Sequence, residues 1–435
     1  MRKVKIGLAL SLALTIMSLL AGGAPVVTIY SQGMACVQDS LTLSLTTGIS
    51  DVRVPVPAGI IAESALISSE ATLLSQSFDY TNAADLAAAS VGKKVEVMTS
   101  NGVYRGTLLT YGADTITIID SSGTIRSIAQ PQQVSLGDKG AFSLDPVLTL
   151  KMQSKVTGDV SATISYLTRG LSWDGSYICV LDEDQSTLSL QGQITLRNQC
   201  GVDFPTATIR FVAGDVNRVE KSYSDMRAAP APMAMMETGA SEQSAFEYHL
   251  YTLPGTIDLA DGASLVVPYI AASDVAIERS YVYDGASSSG VQVKVSFKNN
   301  TENGIGIPLP SGTVRLFGNA DGSLLFLGED SIGHTAKGET VNLHVGSSFD
   351  LVGKRTQLSR VKIAPSTYRE TYRIILRNHK DKDVVIDVRE HLSGTWNITT
   401  SSQPYEKVDS NTIKYLVSVP AGGESEVEYT VEYNY

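Results

Sequence analysis

The sequence predicts a mostly β protein with several antiparallel β-sandwich domains, a small inserted barrel and little helix. Segments that alternate apolar and polar residues recur at about ten-residue spacing from Leu144 to Ile270, which is the rhythm of a sandwich. Tyrosine outnumbers phenylalanine by 19 to 9, and tyrosine suits half-buried strand positions because its ring packs while its hydroxyl stays hydrated. Thr81–Ser90 alone has the alanine-rich composition of a short helix.

Length and charge restrict the class of protein. At 435 residues the chain is too long for one hydrophobic core, so several domains are expected. Hydrophobic residues make up 43% of the sequence, which excludes global disorder. The net charge of −11 argues against a nucleic-acid partner, because such proteins present a basic surface.

Residues 1–24 predict an export signal. Three basic residues within the first five precede the uncharged apolar run Ile6–Leu20, and the small residues Ala21–Gly23 follow. Cleavage there would release an extracytoplasmic protein. Without cleavage, the same segment would anchor the chain, and this would be its only contact with the membrane.

Three cysteines are few for an exported protein: Cys36, Cys179 and Cys200. A hairpin that turns near Glu183–Ser186 would place Cys179 opposite about Leu190, well short of Cys200, which disfavours a disulfide between the two. Cys36 lies in a predicted strand, and we expect it to be a small apolar core residue rather than a lipidated one.

Turn signals and composition divide the chain into six expected segments. These are the signal or anchor at 1–24, an N-terminal β segment with a short helix at 25–90, the small barrel at 91–137, a β-sandwich at 138–272, its β continuation at 273–361 and a C-terminal β-sandwich at 362–435. Residues 222–244 are rich in Ala, Pro, Met and Ser without periodicity, which predicts a flexible loop rather than a soft-metal or partner site.

The small barrel is predicted from four short strands and tight turns. The strands are Lys94–Thr99, Val103–Thr110, Thr115–Asp120 and Thr124–Ile128, and Asn101-Gly102 is a strong hairpin signal between the first two. The pattern resembles SH3-like and Sm-like barrels. Some of those bind RNA, but nearby carboxylates offset the cations here, so a packing module is favoured.

Several separate blocks, in order, resemble one known family. They are TIYSQGMACV near residue 28, YLTRGLSWDGSY from Tyr166, FVAGDVNRV from Phe211, FEYHLYTLPG from Phe246, ENGIGIPLPSGTVRLF from Glu302 and LRNHKDKDVVIDVREHLSGTW from Leu376. Together they resemble domain of unknown function 4139, a family that includes mucoidy-inhibitor-like proteins. The resemblance implies a β-sandwich architecture and a cell-envelope location, and it supplies no catalytic residues. Many members carry a long N-terminal helical hairpin, which this sequence replaces with one short helix and the small barrel.

The sequence contains no recognisable catalytic or metal-binding motif. The histidines, at positions 249, 334, 344, 379 and 391, form no helical metal-binding pair, and the sequence has no GxSxG elbow, P-loop or dinucleotide fingerprint. Glu390 and His391 are neighbours on a predicted strand and should point to opposite faces. The acidic turn Asp182-Glu183-Asp184 lacks a calcium-loop pattern. We therefore expect no metal and no cofactor, and the catalytic residues, if any exist, are unknown.

The two tryptophans are the candidate platforms for a ligand. Trp173 follows a Gly-Leu-Ser turn beside a strand and is expected to fill a sandwich core. Trp396 could be a core residue or a sugar-stacking platform. Trp396 and Tyr405 are the candidate ligand contacts.

These observations predict an exported, non-enzymatic cell-envelope protein with immunoglobulin-like β-sandwiches. Its expected partner is an unknown envelope protein or surface polymer, and not nucleic acid. Two alternatives stay open: a hydrolase of envelope polysaccharide or peptide with a loop-built site, and a carbohydrate-binding module. A cleft with clustered carboxylates or histidines would favour the hydrolase, and a flat strip of exposed aromatic rings would favour the binding module.

Overall fold

A computed structural model describes residues 23–82, 86–112, 114–136, 142–214, 216, 241–245, 248–286 and 290–434. In this part of the chain nearly all regular structure is β-strand, which confirms the predicted class. The described remainder of the predicted helix Thr81–Ser90 contains a 3-10 turn at Ala88–Ser90, and residues 83–85 lie outside the described residues. Residues 1–22 of the predicted export signal and residues 222–240 of the predicted loop also lie outside them.

The strands before residue 264 belong to three sheets and to the start of a fourth. They are β1 Val26–Tyr30, β2 Met34–Leu45, β3 Gly48–Pro55, β4 Ile60–Ser69, β5 Thr72–Asp79, β6 Lys94–Thr99, β7 Gly102–Tyr111, β8 Thr115–Ile119, β9 Ile125–Ala129, β10 Gln133–Ser135, β11 Val147–Ser154, β12 Gly158–Arg169, β13 Leu171–Leu181, β14 Thr187–Asn198, β15 Phe204–Ala213, β16 Ser241–Ala245, β17 Tyr248–Thr252 and β18 Ile257–Leu259. β16 includes the last four residues of the predicted loop, because it pairs with β17 as a hairpin.

The strands from residue 264 onward extend the fourth sheet to the C-terminus. They are β19 Ser264–Asp284, β20 Gly290–Lys298, β21 Gly312–Ala320, β22 Ser323–Ile332, β23 Thr340–Ala364, β24 Thr367–Asn378, β25 Val384–His391, β26 Thr395–Ser401, β27 Glu406–Lys407, β28 Thr412–Val419 and β29 Glu424–Asn434.

One continuous core joins the N-terminal sheets to the start of the fourth sheet. The first sheet has the order β16-β17-β15-β1-β2-β12-β4, with β18 beside β15, and β3-β11-β5 forms another. Leu43 on β2, Leu148 on β11 and Leu196 on β14 are all fully buried in this shared core. Alternation of buried and exposed residues along β12 to β14 produces the period-two pattern that the sequence shows.

The fourth sheet runs through two sandwich units without a break. Its order is β22-β21-β13-β14-β19-β20-β23-β24-β29-β26, and β25 pairs with β19 and β28. β19 pairs with β14 in its first half and with β20 and β25 in its second half. β23 pairs with β20 and then with β24. The hydrogen-bonded ladder therefore continues through the long strands β19 and β23, from the first core to a second, C-terminal core.

The small sheet has a core of its own. Its order is β10-β6-β7-β8-β9. The predicted hairpin between β6 and β7 is present, but its loop is Ser100-Asn101, one residue earlier than the Asn101-Gly102 signal, because Gly102 pairs with Thr99. Val97, Leu108 and Ile118 are fully buried within it. The predicted SH3-like or Sm-like closure stays a prediction.

The cysteines are unpaired and Cys179 has the predicted register. Cys179 stands directly opposite Leu190, and all three thiols are free. Burial raises the pKa of Cys179 to about 12, so this thiol stays protonated and unreactive at neutral pH.

An aromatic cluster fills the first core around Trp173. The Trp173 ring is buried 5.1 Å from the ring of Phe211, and Phe211 stacks on Tyr251 at 4.7 Å. The Tyr177 hydroxyl donates to the carbonyl of Pro310 at 2.6 Å, and the Tyr251 hydroxyl donates to another carbonyl of the same proline-rich segment. Trp173 is therefore the core residue that the sequence predicts.

Three buried asparagines close the ends of strands in the fourth sheet. They are Asn198, Asn299 and Asn378, and the side-chain amide of each donates to at least two backbone carbonyls. The backbone N–H of each donates to the residue just before the neighbouring strand, β19, β23 or β29. We call each arrangement an asparagine corner.

We expect Trp173→Ala to lower the free energy of unfolding by about 3–5 kcal/mol, because it leaves a large cavity beside Phe211. Trp173→Phe should cost much less, since the indole N–H has no partner among the described residues. Chemical denaturation of the purified chain measures both. An unchanged transition in Trp173→Ala would contradict the core position.

Asn378→Ala should destabilise the C-terminal unit by about 3 kcal/mol, because the buried Val419 carbonyl and the part-buried carbonyls of Lys382 and Pro420 lose their side-chain donor. Asn397→Ala is the matched control, because Asn397 is exposed on β26, and it should change stability by less than about 0.5 kcal/mol. Hydrogen exchange of the C-terminal strands measures the difference. Equal effects of the two substitutions would contradict the role of the corner.

Candidate functional site

A buried ion pair lies at one side of the C-terminal unit. Arg355 on β23 donates through Nε to both carboxylate oxygens of Glu390 on β25, at 3.1 and 2.9 Å. Glu390 is only 1% exposed, and the hydroxyl of Tyr429 on β29 also donates to its carboxylate. Three strands, β23, β25 and β29, thus bring an acid, a cation and a phenol together inside the C-terminal unit.

A second carboxylate lies next to this pair. The Arg355 guanidinium lies 3.8 Å from the ring centre of Tyr372, whose hydroxyl donates to buried Glu370 at 2.5 Å. Glu370 also accepts from Arg360 Nε at 3.0 Å. We call Arg355, Arg360, Glu370, Tyr372, Glu390 and Tyr429 together the polar cluster.

Burial and charge oppose each other in the polar cluster. Burial raises the pKa of Glu390, although the Arg355 charge and the Tyr429 hydrogen bond act to lower it. Burial also raises the pKa of Tyr429, so its hydroxyl keeps the proton that it donates. A raised glutamate pKa is a mark of general acids in clefts. Here, however, Arg355 and Tyr429 occupy a carboxylate that solvent hardly reaches, so the arrangement joins strands rather than presenting an acid to a substrate.

The histidines do not complete a catalytic group at this place. His391 points away from Glu390, as predicted, and its Nε2 lies 3.1 Å from Asp284 Oδ2. Its Nδ1 lies 3.2 Å from the hydroxyl of Thr412. His391 is therefore held in a surface hydrogen-bond chain, on the opposite face of β25 from Glu390.

Ser311 and His334 place a serine hydroxyl near a histidine ring. The Ser311 backbone N–H donates to His334 Nδ1 at 3.1 Å, which makes Nδ1 the acceptor and leaves the ring proton on Nε2. Nε2 lies 3.5 Å from Ser311 Oγ. Because a protonated Nε2 cannot accept the serine proton, this pair does not activate a nucleophile.

The predicted ligand contacts Trp396 and Tyr405 lie near the edge of the C-terminal unit. Trp396 packs partly against the second core, and its indole N–H donates to the Ser410 carbonyl at 2.8 Å. Lys407 Nζ lies 4.8 Å from the Trp396 ring centre. Tyr405 is 39% exposed, and its ring lies 6.1 Å from that of Tyr415. Trp396 is thus partly a core residue, and a ligand role for both residues stays a prediction.

A cleft of ≈ 540 Å³ opens on the small sheet. Tyr111, Gln130, Gln132 and Leu136 are among its lining residues, and Asp114 is the one carboxylate among those described. Glycoside hydrolysis needs two carboxyl groups across a cleft, so this lining lacks the pair that the hydrolase alternative requires.

Large apolar side chains are exposed at the end of the β21–β22 hairpin. Leu324, Leu325 and Phe326 are between 52% and 67% exposed, and Phe349 on β23 is 96% exposed. Successive strand residues point to opposite faces, so neither face of the hairpin end is covered. We call these four residues the hairpin patch.

Contacts with β23 show the direction in which the hairpin end runs. The His344 N–H donates to Asp330 at 2.7 Å, and Gly328 packs against the Val345 carbonyl. Asp330 contacts His344, whereas the earlier residue Gly328 contacts the later residue Val345, so the two segments run antiparallel. The hairpin end is consequently directed towards the part of β23 that carries Phe349.

The described residues contain no group of three or more His, Cys, Asp or Glu side chains placed to hold a metal ion. They also contain no helix with the length and apolar character needed to span a membrane.

The architecture defines a multi-sheet β-sandwich protein whose two buried glutamates in the described residues, Glu370 and Glu390, each pair with an arginine. The family model described as Domain of unknown function (DUF4139) matches residues 162–435, from within β12 to the C-terminus, and the chain therefore belongs to this family. This confirms the family resemblance. No curated protein matches the sequence.

Sequence reasoning did not find the polar cluster, although a signal exists. Glu390 is in phase with Val384, Ile386 and Val388 on the buried face of β25. Glu370 likewise shares the buried face of β24 with Tyr372. A carboxylate in register with an apolar row indicates a buried partner, because a buried charge must be compensated.

We expect a double-mutant cycle on Arg355→Met and Glu390→Gln to give a coupling energy of about 2 kcal/mol or more, since each single change leaves a buried group without its partner. The matched control is the half-exposed pair Arg377–Glu424 on the same sheet, which should couple by less than about 1 kcal/mol. Denaturant unfolding measures both cycles. Equal coupling in the two pairs would contradict the importance of burial.

Proposed function

We propose that this chain is an exported, non-enzymatic protein of the cell envelope that binds another envelope protein. The observation that carries the interaction role is the hairpin patch, in which Phe349 is 96% exposed and three residues of the hairpin end are more than half exposed. Exposed groups of large apolar residues on soluble surfaces mark interaction sites.

The chemistry of the hairpin patch favours a protein over a surface polymer. Leucine and phenylalanine side chains carry no hydrogen-bonding group, whereas sugar recognition needs polar partners for hydroxyls. A surface polymer remains the second candidate partner, through Trp396 and Tyr405. The apolar and positively charged character of residues 1–24 supports the export part of the proposal.

The absence of an assembled site in the described residues supports a non-enzymatic role. Glu390 is closed off by Arg355 and Tyr429, and Ser311 lacks a base. The cleft on the small sheet has one described carboxylate in its lining. Hydrolysis of envelope polysaccharide or peptide is therefore the weaker alternative.

Site-specific photo-crosslinking in intact cells tests the proposed surface. A photoreactive residue in place of Leu325 should give a discrete product with one envelope protein, while the same residue at exposed Lys337 should not. Adding Leu324→Ser, Phe326→Ser and Phe349→Ser should reduce the product at least about tenfold, because the apolar contact is lost.

The control for the crosslinking uses exposed apolar residues elsewhere. Val385→Ser with Leu416→Ser removes two half-exposed side chains from the C-terminal unit and should leave the product unchanged. A product that a polysaccharide-degrading enzyme removes would contradict a protein partner. Resistance of the chain to external protease in spheroplasts would contradict export.

A further inference from the structure

The second half of β23 has a strand neighbour on one side only. β20 pairs with β23 as far as Val352, while β24 pairs with it from Leu351 to Ala364. Among the described residues, no strand pairs with the other side of Gly353–Ala364. We call this part of β23 the edge segment.

The inner face of the edge segment is fixed by the polar cluster. Gly353 packs under the ring of Tyr283, and Arg355 pairs with Glu390. The Gln357 amide donates to the Tyr372 hydroxyl at 3.2 Å. The edge segment is therefore a rigid, preformed strand rather than a loose terminus, which reduces the entropy that a bound strand would cost.

The edge segment exposes apolar side chains along its length. Leu358, Val361 and Ile363 are 43% to 54% exposed. In β-strand addition, main-chain hydrogen bonds give affinity, and exposed side chains along the edge give specificity.

The edge segment is also basic in an acidic protein. Gly353–Ala364 contains four Lys and Arg residues and no Asp or Glu, while the whole chain has a net charge of −11. Arg355 and Arg360 are paired within the polar cluster. Lys354 and Lys362 have no carboxylate partner among the described residues, so their charges face outward uncompensated.

The same sheet shows which strand chemistry suits a basic neighbour. On β24, Arg369, Arg373 and Arg377 each pair with a glutamate of β29, at 2.6 to 2.9 Å for their shortest contacts. β29 alternates these glutamates with valine and tyrosine, as in Glu424–Asn434. A strand of that composition would also match the edge segment.

A second copy of this chain does not suit the edge segment. Pairing of two edge segments would bring two lysines from each copy, Lys354 and Lys362, to a shared seam with no Asp or Glu on either edge segment. Like charges brought together across a strand pair destabilise it. The charge therefore favours a different, acidic strand.

We propose that the edge segment binds an extended peptide segment of another protein by β-strand addition, and that this peptide alternates acidic with apolar residues. The proposal names a second surface and a partner chemistry for the interaction role proposed above, and it rests on that role.

Lysines and β-bulges also serve to block unwanted pairing at sheet edges, and the pairing of the edge segment with β24 shifts at Leu358 and Ile363. A purely protected edge, however, gains nothing from three exposed apolar residues beside those lysines. An edge that binds a partner strand should bind the acidic peptide, and an edge that only blocks pairing should not.

A synthetic peptide with the sequence of residues 424–434, ESEVEYTVEYN, is the probe, with KSKVKYTVKYN as its charge-reversed control. Fluorescence anisotropy on the full chain should show binding of the acidic peptide and none of the control. Lys354→Glu with Lys362→Glu should weaken binding at least about tenfold, while Lys337→Glu should not.

Backbone methylation separates strand addition from simple charge attraction. The N–H groups of alternate residues in a strand point to the same edge, so methylating one alternate set should abolish binding and methylating the other should preserve it. This test leaves the protein sequence unchanged and so cannot fail through misfolding.

No binding at about 1 mM peptide, equal binding of the charge-reversed control, or indifference to both methylation patterns would each overturn the proposal. So would a dimer in sedimentation that buries the edge segment. The hairpin crosslinking can fail while the peptide still binds, and the reverse also holds, so the two proposals fail separately.

Discussion

The fold depends on two strands that each serve two sandwich units. β23 contributes Val341 and Leu343 to the first core and Leu351 to the second, and β19 passes between the same units. Because the ladder is continuous through them, the units cannot rotate independently as linker-joined domains do. Most pairings in this sheet join residues far apart in sequence, which favours slow folding that waits for long-range contacts.

The polar cluster shows how an acid can have the surroundings of a catalytic residue without its accessibility. Glu390 has a raised pKa, a cationic neighbour and a phenol, which are common features of active sites. Its partners point inwards and fix β23 against β25, so the same chemistry aligns the edge segment, which has no strand neighbour on its other side among the described residues. Residues of β23 thus take part in both the buried polar cluster and the exposed edge segment.

The sequence could predict the individual strands, because burial of one face gives each strand an alternation of apolar and polar residues. It placed Cys179 opposite Leu190 and Trp173 in the core. The sequence could not predict the long-range strand pairing, because no local pattern in β19 or β23 indicates which strands lie beside them. The hairpin patch was equally hidden, because Leu324–Phe326 looks like any apolar strand until the sheet around it is known.

The asparagine corners repeat along the fourth sheet. Each corner joins neighbouring strands, β14 to β19, β20 to β23 and β24 to β29, and these pairs follow one another across the sheet. Each asparagine follows a basic residue, at Arg197, Lys298 and Arg377. The fourth sheet thus ends three successive strand pairs with one hydrogen-bond pattern, in which an asparagine amide supplies the donors that backbone carbonyls at the strand end require.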